Sequence, residues 1–157
     1  MANTYKSALV QSGQVRGNWR GADFTIYGSI AATEAAAGDI FEMVQVPNGY
    51  SIESVTLDCD KLDSNASPTI VLEVGDGTTA NRFINASTVA QAGGVQGSNV
   101  AGATGYSYAV GTNPGQFSGG NAGATVLQVK VATAAATFQA GTIRLAVRCF
   151  LDSGAFA

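Results

Sequence analysis

Alternation of apolar and polar residues dominates this chain. Ile143, Leu145, Val147, Cys149 and Leu151 alternate with Thr142, Arg144, Ala146, Arg148 and Phe150, the clearest period-two run in the sequence. Leu127, Val129 and Val131 alternate with Val126, Gln128 and Lys130. Ile70, Leu72 and Val74 oppose Thr69, Val71 and Glu73, and Val55, Leu57 and Cys59 oppose Ser54, Thr56 and Asp58. Successive side chains of a strand point to opposite faces, so each run predicts a strand with one buried side. Residues 24–30 and 40–46 are further strands, the second apolar on both faces and therefore ambiguous in register. Short strands near residues 82–84 and at residues 105–110 bring the total to about eight. Only residues 30–37 (IAATEAAA) have the composition of a helical turn, and they are too few and uncapped to stand alone.

Turn chemistry separates the runs. Pro47-Asn48-Gly49 is a hairpin-like signal, Gly75-Asp76-Gly77 closes one strand and Gly141 opens the last. Short strands with regular turns predict an all-β fold, an antiparallel β-sandwich of jelly-roll type. The 157 residues fit one such domain. Residues 1–22 are polar, contain Gly13, Gly17 and Gly21, and show no sustained period. They read as an extended N-terminal arm that orders on docking. Residues 23–157 form the sandwich, with a long neutral loop region over residues 83–125.

That neutral region changes the picture. Between Arg82 and Lys130 run 47 residues without Asp, Glu, Lys or Arg, holding ten of the 20 glycines. A soluble surface carries about a quarter or more charged residues, whereas interface cores are depleted of charge because desolvating it is costly. The stretch therefore predicts loops lying against another protein. Net charge is −3, but residues 1–22 carry Lys6, Arg16 and Arg20 and no acid, while residues 34–76 carry nine acids against Lys61 alone. Segregation of this kind bears on association, a basic arm reaching an acidic patch on a neighbouring copy or another protein. A dense basic stripe is missing, which argues against nucleic acid as a partner. No apolar run has the length to span a bilayer, which argues against a membrane. The first residues lack the basic-then-apolar order of a secretion signal, making a cytosol-like compartment the default.

Catalytic chemistry finds little support. The chain has no His, the usual general base and activator of nucleophiles. Cys59 and Cys149 read as small buried hydrophobes, with a bridge between them left open, and two cysteines without His make a poor metal site. Asp58 and Asp60, two apart on one strand face with Asp63 following, read as solvated decoration of an outer face. A calcium site is a lesser alternative, and paired-carboxylate glycoside hydrolysis a lesser one still. No Gly-Lys-Ser/Thr follows Gly75-Asp76-Gly77, so that turn is no phosphate loop. No catalytic residue, metal or cofactor is expected. Aromatic residues carry more weight. Tyr106 and Tyr108 share a face if extended, and with Phe117 they suit a subunit contact, a stacking platform for sugar rings, or the filling of one end of the sandwich. Trp19, beside Arg20 and near Arg16, suits a docking hook, or folds back on its own domain. These six are the candidate interface residues.

The segment AAAGDIFEMVQVPNGYSIESVTLDCDKLDSNASPTIVLEVGDG, residues 35–77, resembles the small head proteins of tailed bacteriophages. In these a Gly-Asp-apolar strand runs into a Pro-x-Gly or Pro-x-Asn turn. A second strand, an Asp-rich loop and a strand ending in Gly follow. The matching positions are Gly38, Asp39, Pro47, Gly49, Asp63 and Gly75. The resemblance implies a capsid cement or decoration protein with no catalytic residues. It would be a homodimer or homotrimer that bridges subunits of the major capsid protein on the exterior of the expanded head, after assembly in the host bacterial cytoplasm. The alternatives are a carbohydrate-binding module on a phage tail or cell surface, binding glycan through Tyr106, Tyr108 and Trp19, and a tail-tube or neck subunit.

Overall fold

In a computed structural model that describes residues 2–11, 23–47, 50–102, 104 and 125–151, the chain folds as two facing β-sheets. The strands are β1 (Thr4–Lys6), β2 (Phe24–Ala32), β3 (Ile40–Val46), β4 (Tyr50–Cys59), β5 (Val71–Asp76), β6 (Ile84–Ser87), β7 (Gly94–Gly97), β8 (Thr125–Thr133) and β9 (Gly141–Leu151). One sheet has the order β1-β3-β8-β5-β6 and the other β2-β9-β4-β7.

Pairing explains this order. β2 runs antiparallel to β9, β3 to β8, β4 to β7 and β5 to β6. The chain is thus one long antiparallel ribbon with its tip between β5 and β6. Wrapping the ribbon brings β4 beside β9 and β5 beside β8, which is the eight-stranded jelly roll. The predicted sandwich is present, with β1 added as a ninth strand among the described residues. β1 pairs with β3 in parallel, Tyr5 opposite Phe41.

The residues predicted to face inward do so. Val55, Leu57, Cys59, Ile70, Leu72, Val74, Leu127, Val129, Val131, Ile143, Leu145, Val147 and Cys149 are all buried. Burial of one such aliphatic side chain is worth about 1.5–3 kcal/mol, so the two inner faces supply the main stabilising term. The ambiguous register of β3 has a structural cause. Its pairing with β8 shifts between Glu42 and Val44, a bulge that buries both Met43 and Val44.

Three expectations differ from the fold. The Ala-rich residues 30–37 form no helical turn: β2 runs on to Ala32, and a bend and turn lead to Asp39. The short helices are instead α1 (Ala8–Gln11) and α2 (Val89–Ala92). The neutral region is not loop throughout, since β6, α2 and β7 fall within it. Part of its neutrality serves the chain's own sandwich, where Phe83, Ile84 and Ala90 are fully buried. The N-terminal arm also begins inside the fold. Ser7 is buried, donates its backbone N–H to the Glu42 carbonyl at 2.9 Å and its hydroxyl to the Met43 carbonyl at 2.5 Å. The Tyr5 ring stacks on Phe41 at 4.9 Å, and its hydroxyl donates to Glu34. The predicted strand at residues 105–110 lies outside the described residues.

Candidate interaction surface

Arg16, Trp19, Arg20, Tyr106, Tyr108 and Phe117 all lie outside the described residues. Their flanking residues are placed, and strand register shows where those flanks sit. Phe24, which follows the segment holding Arg16, Trp19 and Arg20, pairs with Cys149 near the end of β9. Tyr50 pairs with Leu151, the last residue of β9. Thr125, which follows the segment holding Tyr106, Tyr108 and Phe117, pairs with Val46 at the end of β3. The Phe24 and Tyr50 rings meet edge to face at 4.8 Å. Both segments therefore join the sandwich at one end. Thr125 Oγ1 is buried there without a hydrogen-bond partner among the described residues.

The tip between β5 and β6 folds over this same end, where Asp76 pairs with Leu127. Asp76 Oδ1 accepts the backbone N–H groups of Thr78 at 2.8 Å and Thr79 at 2.7 Å, and Oδ2 accepts Arg82 Nε at 2.6 Å. The tip lies so close to Gly75 that a Cβ there would fall 1.9 Å from the Thr79 carbonyl oxygen.

The opposite end is closed by aspartates. Asp63 is fully buried. Its carboxylate accepts five backbone N–H groups, from Asn65, Thr69, Ile70, Ala136 and Thr137, at 2.8 to 3.3 Å. Burial alone would raise its pKa, but the N–H groups of Thr69, Ala136, Thr137 and Asn65 outweigh it and hold the carboxyl well below the usual range. Two loops thus close around Asp63. Asp39, also buried, accepts the N–H groups of Asn3 at 2.7 Å and Ala36 at 2.8 Å. Asp58 and Asp60 do lie on an outer face, both against Arg144 at 3.4 and 3.0 Å. Hydrogen bonds from Arg144 and Thr142 lower the Asp60 pKa. With Asp63 turned inward the three carboxylates share no site, and the described residues contain no metal-holding group of three His, Cys, Asp or Glu.

Sequence reading passed over one exposed feature. Among the described residues the large hydrophobics left exposed are Tyr27, at 73 %, and Val95, at 66 %. Both stand on the outer face of the β2-β9-β4-β7 sheet. Their signal was an apolar residue at a solvent-side position of its strand.

No protein-family model and no curated protein matches the sequence. Solved structures do. A chain in the capsid asymmetric unit of cyanophage Pam1 is 35% identical, over 88% of this chain and 92% of that one, with a TM-score of 0.69. This chain belongs to that family of phage capsid proteins. A chain in the capsid of Ralstonia phage GP4 is 28% identical, over 96% of this capsid protein and 99% of its own length, with a TM-score of 0.78. A chain in the acid-stable capsid of the Helicobacter pylori bacteriophage KHP30 shares the fold at 18% identity and a TM-score of 0.54, over 84% and 94% of the two chains. The protein is a structural component of the virion, and among its described residues no helix is long and apolar enough to cross a membrane.

Four of the positions that carried the head-protein resemblance, Gly38, Asp39, Asp63 and Gly75, have structural work in this capsid protein. Gly38 adopts φ +91°, a conformation that side-chain-bearing residues rarely take, and it leads into Asp39. Gly75 admits the tip loop, and Asp63 closes the far end.

Proposed function

We propose that this capsid protein is a cement or decoration protein. It oligomerises as a homodimer or homotrimer and bridges subunits of the major capsid protein on the exterior of the expanded head. The supporting observation is the division between its ends. One end is closed by Asp39 and Asp63, while the flanks of both candidate contact segments meet at the other. Arg16, Trp19 and Arg20 in one segment and Tyr106, Tyr108 and Phe117 in the other make the contacts. Several modest contacts acting together raise total binding steeply, because the later ones form within an existing complex. The bridge needs on the order of 1,000 Å² of interface. Its work is mechanical, adding interface free energy that must be lost before neighbouring subunits separate, and no catalytic step is involved.

Co-sedimentation of the purified protein with expanded heads lacking it tests the reading. The intact chain is expected to pellet with heads. Replacement of Arg16, Trp19 and Arg20 by Ala is expected to weaken that binding by about a hundredfold, the sum of a few anchor residues, with the thermal midpoint unchanged. Substitution is a cleaner probe than removal of residues 1–22, because Tyr5 and Ser7 belong to the sandwich. Equal binding by the variant would refute the role of the arm. Absence of the intact chain from the pellet would refute cementing itself.

A further inference from the structure

On the outer face of the β2-β9-β4-β7 sheet one exposed ring stands beside two groups of fixed charge. Tyr27 of β2 lies opposite Ala146 of β9. Arg144 and Arg148 flank Ala146 two residues away on the same face of β9. Each guanidinium is held between two carboxylates. Arg144 meets Asp60 at 3.0 Å and Asp58 at 3.4 Å, and Arg148 meets Glu53 at 2.8 Å and Asp23 at 3.7 Å. Between the two groups the row runs from Ala146 to Thr56 and Gly97, with no side chain larger than threonine. The sheet thus presents a low strip about 14 Å long, with the arginine positions about 14 Å apart along β9. The large hydrophobics left exposed among the described residues stand at its two ends, Tyr27 on β2 and Val95 on β7 beside Asp58.

We infer that this strip binds neutral oligosaccharides, an attachment function separate from the bridging of capsid subunits. The Tyr27 ring offers a flat apolar surface for the C–H face of a sugar and a hydroxyl for its rim, and Val95 gives apolar contact at the far end. A sugar hydroxyl both donates and accepts, so two neighbouring hydroxyls bridge a guanidinium N–H and a carboxylate oxygen of one ion pair. Ion pairs already in place present both groups together, which keeps the ordering cost of binding small. Charge argues against other ligands. Carboxylates outnumber arginines four to two, so the face disfavours phosphates, uronates and other anions, and a nucleic acid needs a basic surface. A protein partner would have to strip water from six half-exposed charges, and the low floor gives an anchor residue no apolar pocket. One open strip holds a sugar weakly, but many copies on a single shell raise the total steeply.

Sugar binding is measured on the purified full chain without heads, so it stands or falls apart from cementing. Native gel electrophoresis through dextran, mannan, galactan or xylan covers the common neutral sugars, with alginate as the anionic control. The full chain is expected to be retarded by at least one neutral polymer and not by alginate. Tyr27→Ala and Arg144→Met are each expected to weaken that retardation by about tenfold, whereas Tyr27→Phe keeps the ring and most of the effect. All three alter exposed positions, and their thermal midpoints are expected to stay within about 2 °C of the wild type. Equal mobility in every gel, retardation by alginate alone, or unchanged retardation of Tyr27→Ala would overturn the inference. Co-sedimentation of Tyr27→Ala with expanded heads scores the remaining occupant. Binding equal to the wild type is expected, and its loss would make this face a capsid contact and overturn the inference as well.

Discussion

The carboxylate of Asp63 accepts the backbone N–H of Thr137 at 3.1 Å across 74 residues of sequence. This contact joins the loop after β4 to the loop after β8, and so ties together strands of both sheets at one end of the jelly roll. The same carboxylate serves Thr69 and Ile70 in the first loop and Ala136 in the second. A single ionised side chain therefore takes the place of regular pairing where the strands stop.

Asp63→Asn is expected to lower the thermal midpoint by about 5–10 °C, a large shift for a chain of this size. The amide keeps one acceptor oxygen and turns an NH₂ toward N–H groups that need acceptors, leaving buried donors unpaired. Asp58→Asn, at a half-exposed carboxylate beside Arg144, is expected to move the midpoint by less than about 2 °C. Differential scanning calorimetry of the two variants beside the wild type measures both. Equal midpoints would contradict the role given to Asp63.

Acid should act through the same group. Its pKa in the folded chain lies below the ordinary 3.8, so its contribution is fully present above that value and fades as pH falls toward the folded value. The stability gap between wild type and Asp63→Asn is expected to be constant near neutrality and to narrow below about pH 4. Urea titrations at a series of pH values record the gap. A gap that widened in acid would have the wrong sign.

Gly28 faces inward on β2, where a Cβ would fall 2.2 Å from the Met43 carbonyl oxygen. Backbone cannot give way as a flexible side chain can, so Gly28→Ala is expected to cost about 2–3 kcal/mol. Gly97→Ala, with nothing within 4 Å, is expected to cost less than about 1 kcal/mol. Chemical denaturation of the pair separates the two cases.

Cys59 and Cys149 are both free and buried. Cys59 lies opposite Ile143 and Cys149 opposite Ile52, a separation of about 20 Å along the sheet, far beyond disulfide reach. Burial pushes both thiols up to about 12, helped at Cys59 by the carboxylates of Asp60 and Asp58. A thiol reagent at pH 8 is expected to label neither in the folded protein and both in denaturant, and a reductant is expected to leave the thermal midpoint unchanged. Rapid labelling without denaturant would contradict this placement.

The strands and their inward faces were legible because a half-buried strand must alternate, and β4, β5, β8 and β9 do so. β3 resisted because its bulge sets Met43 and Val44 inward in succession, which breaks the two-residue period. β7 resisted because Gly-Val-Gln-Gly carries almost no hydrophobic signal. It is a strand only because β4 offers it an edge. The six residues first chosen for contacts lie outside the described part, whereas Tyr27 shows itself as a surface residue only once β2 is paired.

Composition and alternation along the chain determined a charge-poor β-sandwich, since both follow from what each residue does with its near neighbours. Which strands lie side by side, and whether a given aspartate meets water or backbone, depended on the wrapping of the ribbon. Asp58, Asp60 and Asp63 look alike in one dimension. Their fates diverge because the loop from β8 to β9, more than 70 residues later, brings N–H groups to one of them and leaves the others to an arginine on the neighbouring strand.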